Sequence, residues 1–520
     1  MRADLMSGLG PWLAARSGWL RITVFAVLGA LAALGQAPFD LWPITLVALA
    51  VALAMVPAAK TAWQAALWGW ALGGGYFALA LNWIIEPFFV QPEIYGWMAP
   101  FALFFMALGA GLFWAIAFGI TRRFIGPGIL GAALGLAILE YTRSVIFTGF
   151  PWALLGHIWI DTPLLQLASV IGPHGLTIVT LAGAVLLAQV RFSLGWVVQT
   201  GAVVIGVGLA WGVTTTTTAH TARLDGPVIR LIQPNAPQDQ KWDPELAPMF
   251  FERQLSFTNA QSETGIAPDL IVWPETSVPY FLEYSGTALE EIGEAAQGVP
   301  VIVGIQRLEE PRYYNSLVML GRGGQVQNIY DKTHLVPFGE YVPFADLLGQ
   351  FGIHGLAANE GGGFSAGAKG PRGQMAVLSV PNVGNALPMI CYEGIFAQEV
   401  NNWDTRPDFL LMITNDAWFG EFVGPFQHLA QARLRAVEQG LPMIRVANTG
   451  VSALIDPYGV IRDHIPLGQA GWIDVVLPAP APLTIYARFG DKPALLLIGL
   501  LCCAVLVRRR MIIDPRAPAA

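Results

Sequence analysis

The chain has 520 residues, 54% of them hydrophobic and only 12% charged, which is long enough for more than one domain and too apolar for a soluble protein of this size. Residues 1–213 hold 8 Lys/Arg and 6 Asp/Glu, whereas residues 214–492 hold 17 and 29, so the two regions face different solvents. The second region carries 17 − 29 = −12 in formal charge, which argues against a nucleic-acid partner because phosphate binding needs basic clusters.

Apolar runs long enough to cross a hydrocarbon core, which takes about 20 helical residues, are expected at 22–37, 41–57, 62–85, 98–121, 126–147, 164–190 and 194–213. An eighth, shorter run lies at 493–507, with Arg508 to Arg510 placed to snorkel to the headgroups. Buried core helices share this composition, and a signal peptide shares the basic flank of the first run, but the polytopic pattern that follows favours an uncleaved anchor. Arg16 and Arg21, Lys60, Arg122 and Arg123, Arg191, and Arg508 to Arg510 make every second connector basic, while Glu86 to Pro100 has no Lys or Arg. Lys and Arg are retained in short cytoplasmic loops, so both termini are expected to be cytoplasmic and residues 214–492 to lie on the far face. Glu86, Glu140 and Arg143 fall near expected span ends.

After a linker at 214–226 the pattern changes to short β-branched runs separated by Gly, Pro and Asn, as in strands of a compact domain. The clearest are 228–235, 269–276, 299–306, 315–321, 375–380, 386–393, 408–416 and 442–448, with helical stretches at 244–263, 287–296 and 425–439. Several strands are apolar at consecutive positions, as strands buried on both faces are. The expected class is an α-helical transmembrane bundle of eight spans plus an extracytoplasmic α/β sandwich: residues 1–213 with seven spans, 227–487 as the catalytic domain, and 488–520 as the eighth span and a cytoplasmic tail.

Three of these strands end in reactive or strongly polar groups: Glu275 after IVWP, Cys391 with Glu393 after LPMI, and Asn415 with Asp416 after LLMIT. Sheets deliver catalytic groups at strand ends, where loops open to substrate. Cys391 has no partner cysteine in its own domain, since Cys502 and Cys503 lie in the last apolar run. A solitary thiol facing an oxidising compartment is a liability unless used; the alternative is a small buried hydrophobe ending a strand. A thiol nucleophile needs a base and a group to stabilise the oxyanion. His334, His354 and His428 do not present an obvious base. Glu275, if burial behind Trp273 and Pro274 raises its pKa, can serve as one, and Lys332 can stabilise thiolate and oxyanion; a solvated surface Glu and Lys is the alternative for each alone.

The strings IVWPET with Glu275, YDKTHLVPFGEYVP with Lys332 and Glu340, and ICYEGIF with Cys391 resemble the Glu-Lys-Cys signature of the nitrilase (carbon-nitrogen hydrolase) superfamily. With seven spans before and one after, nearly the whole chain is similar to the apolipoprotein N-acyltransferase family, as are QPNAPQDQKW with Trp242, NDAWFG and GFPW. The resemblance implies a nitrilase-like αββα sandwich at the outer face of the bacterial cytoplasmic membrane. It implies that Cys391 takes an acyl group from a phospholipid as a thioester and passes it to the α-amino group of a diacylglyceryl-cysteine that begins an apolipoprotein. Glu275 would be the base, Lys332 the electrostatic stabiliser and Cys391 the nucleophile; Glu340 would hold Lys332, and Tyr392, Glu393 and Trp242 would line or support the site.

No cofactor is expected, because the outer domain shows no paired Cys or His ligand spacing and no phosphate-binding Gly loop. A monomer is expected. The Gly-rich loop at 352–371, with Phe351, Leu356 and Phe364 in or beside it, is a candidate lid or membrane-dipping arm. Two rivals remain: a membrane-tethered hydrolase using water as second nucleophile, and a transporter or receptor whose outer domain only binds ligand.

Overall fold

The computed structural model describes residues 8–189, 226–262, 265–343 and 363–513. The run expected to span at 194–213, almost all of the linker, and most of the Gly-rich loop lie outside the described residues. The chain divides into two compact units, Met1–Phe88, Glu93–Thr216 and Ile485–Ala520 in one, Phe89–Pro92 and Thr217–Thr484 in the other.

In the first unit, helices run over Gly18–Ala33, Trp42–Met55, Ala62–Ala80, Ala99–Phe124, Ile129–Val145, Ala168–Ala188 and Lys492–Ile513. Among the described residues, two stretches, Pro92–Phe124 and Pro163–Ala188, are long and apolar enough to cross a membrane, while Gly18–Ala33, Trp42–Ala58 and Lys492–Val507 are apolar but shorter. Helix length and composition thus support two of the eight expected spans. The stretch expected at 164–190 is also not one straight helix: it breaks at Gly172, φ +63°, beside Pro173, which has no N–H to continue the ladder. Helices Gly18–Ala33 and Ala62–Ala80 cross on glycine. A Cβ on Gly29 would stand 1.9 Å from the Leu72 carbonyl oxygen, and one on Gly75 1.9 Å from that of Ala26, so only glycine allows this approach.

Glu140 and Arg143 lie toward the C-terminal end of helix Ile129–Val145, as expected, and are buried inside this unit. They form an ion pair of 3.1 Å. Trp114 Nε1 donates to Glu140 Oε1 at 2.8 Å, and Arg143 donates to the Phe150 and Trp152 carbonyls at 2.5 and 2.9 Å. Each charge therefore has the partners that a low-dielectric interior demands, and the pair fastens the GFPW segment to its helix.

The second unit holds two six-stranded sheets. The first contains β1 (Val228–Gln233), β2 (Leu270–Val272), β3 (Val301–Glu309), β4 (Arg312–Leu320), β5 (Val326–Asp331) and β12 (Gly471–Val476), in the order β12-β1-β2-β3-β4-β5. The second contains β6 (Leu378–Val380), β7 (Gly384–Ile390), β8 (Phe409–Thr414), β9 (Met443–Ala447), β10 (Ser452–Ile455) and β11 (Ile461–Ile465), in the order β11-β10-β9-β8-β7-β6. Each sheet has a parallel trio, β1-β2-β3 or β7-β8-β9, flanked by antiparallel strands. Side chains alternate across a strand, and β2 shows the result. Leu270 and Val272 join a core shared with Leu387, Met389 and Leu411 of the other sheet, whereas Ile271 and Trp273 join Leu289 and Ile292 of helix Gly286–Ala295. Helix Gly424–Gln439 packs Leu429, Ala432 and Ala436 against the second sheet.

Candidate active site

The parallel trios decide where the polar strand ends go. β2 stops at Val272, and the chain turns through Trp273 and Pro274 to Glu275, with Thr276 in the left-handed region at φ +46°. Gly304 on β3 backs this turn: a Cβ there would lie 2.4 Å from the Pro274 carbonyl oxygen and 2.6 Å from Glu275 Cα. Trp273 is buried with its Nε1 donating to Thr258 Oγ1 at 2.9 Å, so the residue before the turn is anchored too. β7 ends at Ile390, and Cys391 opens a short 3-10 helix, Cys391–Ile395, with φ +52°.

Both oxygens of the buried Glu275 are engaged. Oε1 accepts from Asn315 Nδ2 at 2.7 Å and lies 3.6 Å from Lys332 Nζ; Oε2 accepts from the main-chain N–H of Asn415 at 2.7 Å. Lys332, at the end of β5, donates from Nζ to Glu340 Oε1 at 2.8 Å, and its own N–H donates to the Asn315 carbonyl. Glu340 is fixed from the other side by the Val336 N–H on Oε2 and by Asn315 Nδ2 at 3.2 Å on Oε1. Burial alone would lower the pKa of Lys332, but the charges of Glu340 and Glu275 outweigh it and hold the side chain as an ammonium. Burial pushes the Cys391 thiol well above its ordinary value; the Glu275 charge adds to this and the Lys332 charge opposes it. The resting sulfur is therefore a thiol within the field of the Lys332 ammonium and of the Glu275 and Asp416 carboxylates.

The remaining expected residues take different positions. Tyr392 is buried, edge-on to Phe396, which stacks on His334. Glu393 faces the scaffold: it accepts from the Tyr330 hydroxyl, the Thr333 N–H and hydroxyl, and the Ile390 N–H, tying the end of β5 to the turn that carries Cys391. Trp242 is 43% exposed and borders a cleft with Lys241, Phe250, Pro274 and Thr276.

Two participants, Asn315 and Lys241, escaped sequence reading. Asn315 bridges the two carboxylates, a role that leaves no mark in composition, while Asn415, already singled out at its strand end, contributes through its main chain. Lys241 is buried and donates from Nζ to the Glu275 carbonyl at 3.1 Å and to Thr276 Oγ1 at 2.7 Å. Burial brings its pKa down to about 7 against the opposing pull of Glu275. Its position beside Trp242 in the QKW string is the signal that could have found it. Among the described residues no group of three or more His, Cys, Asp or Glu could hold a metal ion.

Residues 28–186 match the family described as apolipoprotein N-acyltransferase N-terminal domain, and residues 229–476 match carbon-nitrogen hydrolase. The chain is similar to the apolipoprotein N-acyltransferase of Rhodopseudomonas palustris, 35% identical over 98% of this chain and 99% of that one. Those of Bradyrhizobium diazoefficiens, 36% identical over 95% and 96% of the two chains, and of Sinorhizobium medicae, 38% identical over 90% and 91%, are likewise similar. The chain belongs to the apolipoprotein N-acyltransferase family. It is an acyltransferase whose second unit has the carbon-nitrogen hydrolase fold, so the cysteine at the end of β7 stands in an enzyme rather than in a binding module.

Proposed function

We propose that the protein moves a fatty acyl group from a phospholipid, by way of a thioester on Cys391, to the α-amino group of the diacylglyceryl-cysteine at the N-terminus of an apolipoprotein. Glu275 takes the thiol proton as sulfur attacks the ester carbonyl, and the Lys332 ammonium stabilises the oxyanion. Collapse breaks the ester C–O bond, and Glu275 returns the proton to the departing lysophospholipid. In the second half the amine attacks the thioester, Glu275 accepts its proton, and as the C–S bond breaks Glu275 passes that proton to the departing sulfur, leaving an amide and the thiol. Glu340 and Asn315 keep Lys332 and Glu275 in register throughout. Tyr392 and Trp242 would line the acyl and peptide approaches, with Glu393 as support. The observation that carries this reading is the charge arrangement: one ammonium within reach of two carboxylates and in the field of a buried thiol.

A lipid donor and a lipidated acceptor both reside in a bilayer, which fits the apolar composition of the first unit and the two membrane-length helices. We place the enzyme in the bacterial inner membrane with eight spans, both termini cytoplasmic, the catalytic unit on the periplasmic face, and a single chain as the working form.

Mass spectrometry of the protein purified from membranes tests the thioester. A fatty acyl adduct on Cys391 is expected; it should vanish with hydroxylamine, be absent from Cys391→Ser, and fail to form in Glu275→Gln. Free fatty acid released at the rate of donor consumption, without an amine acceptor, would instead make the protein a hydrolase.

A further inference from the structure

Three polar side chains packed behind the nucleophile's turn have no part in the reaction just described. Asp416 follows β8, His428 lies on helix Gly424–Gln439, and Arg445 is on β9; all are 0% exposed. Asp416 Oδ2 accepts from Arg445 at 2.5 Å, and Oδ1 accepts from the Thr414 hydroxyl at 2.9 Å and lies 2.9 Å from His428 Nδ1. Burial alone would raise the Asp416 pKa, but the Arg445 and His428 charges pull it well below the usual carboxylate range. Gly450 leaves room for the carboxylate, since a Cβ there would come 2.4 Å from Asp416 Oδ2. Phe419 meets the imidazole edge-on at 5.5 Å. The ring is thus held in one orientation, and its far nitrogen, Nε2, lies 3.3 Å from the carbonyl oxygen of Cys391.

A carbonyl oxygen only accepts, so Nε2 carries a proton and donates it. The residue it holds has φ +52°, a conformation that costs a residue with a Cβ and persists only where surrounding groups enforce it. Replacing a buried ion cluster with apolar side chains is often neutral or stabilising, so fold stability by itself gives little reason for this cluster, whereas a bond ending on the nucleophile's own carbonyl gives one. We propose that His428, oriented by Asp416 and Arg445, is a positioning residue that keeps Cys391 in its left-handed turn and so aims the sulfur at the acyl carbonyl. This rests on Cys391 being the nucleophile.

The test compares His428→Gln, whose amide can still donate to the Cys391 carbonyl, with His428→Asn, which is too short to reach it. The full-length protein in phosphatidylethanolamine vesicles is mixed with a phospholipid bearing a fluorescent acyl chain, and adduct formation on Cys391 is followed by rapid quench. His428→Asn should slow the adduct about 10- to 100-fold, the effect of losing one positioning hydrogen bond. The donor concentration at half-maximal rate should stay within about threefold, because ground-state binding is untouched. His428→Gln should recover most of the rate. A wild-type rate in His428→Asn would overturn the proposal, as would equal losses in both variants, which would make the histidine a packing group. No adduct in the wild-type protein would overturn the Cys391 reading, and this inference with it.

Discussion

Lys241 shows what one buried cation does to a neighbouring turn. It reaches past Trp242 to bind the Glu275 carbonyl and the Thr276 hydroxyl, and its proton affinity falls because water is excluded from around it. With a folded-state pKa of about 7 against an ordinary value of 10.5, the folded protein binds fewer protons on this residue than the unfolded chain between those values. Stability therefore rises with pH across that window, and the full penalty of burying the charge is present below about 7. The melting temperature of wild type minus that of Lys241→Met, measured in one detergent, should become more favourable to wild type as pH goes from 7 to 10. A difference that stays flat would mean that Lys241 is not the desolvated cation described here. In the chain, Asp239 and Gln240 precede this lysine and only the adjacent Trp242 hints at burial; the fold is what encloses it.

Among the elements, the strands that lead to Glu275, Cys391 and Asn415 were legible, whereas β5, which leads to Lys332, was not. β1, β2, β7, β8 and β9 are buried along their whole length or, in β7, over their last five residues, and consecutive apolar residues announce that. β5, β11 and β12 are largely exposed or half-exposed antiparallel strands, and β10 has only four residues, so no apolar run marks them. The expected strand at 269–276 stops at Val272, because Pro274 cannot donate to a ladder, and the following turn is what delivers Glu275. That turn depends on Gly304. Gly304→Ala should lower stability by about 1–3 kcal/mol through overpacking against backbone and slow Cys391 acylation, with thermal melts and adduct kinetics as the measurements. Unchanged kinetics in this variant would show that the turn tolerates displacement and that Glu275 is not held by it.

For the whole molecule, the sequence separates an apolar region from an acidic one. The charge pattern of the connectors goes further than helix length does, since helices Pro92–Phe124 and Pro163–Ala188 alone meet the length and composition of a span among the described residues. The shortfall has a physical source. Ala62–Ala80 carries Gly73 to Gly75 and Gln64, which lower its hydropathy while allowing close helix crossing. The orientation proposed from the basic connectors predicts that alkaline phosphatase, active only outside the cytoplasm, is active when fused after Thr218 and inactive when fused after Ala520. The reverse pattern would invert the enzyme in its membrane.

Glu275 and the Cys391 thiol come from opposite leaves of the sandwich, from the ends of β2 and β7, and the Asn415 N–H on Glu275 is one of several bonds that join the leaves, with Ser452 to Gln233 and the Tyr330 hydroxyl to Glu393. On the proposed mechanism, catalytic rate becomes a gauge of inter-leaf spacing. A substitution deep in the shared core, at Leu387 or Met389, that leaves the chain fully folded but lets the leaves slide would register first as a slow enzyme, and screens for inactive variants would mistake such core positions for chemical ones.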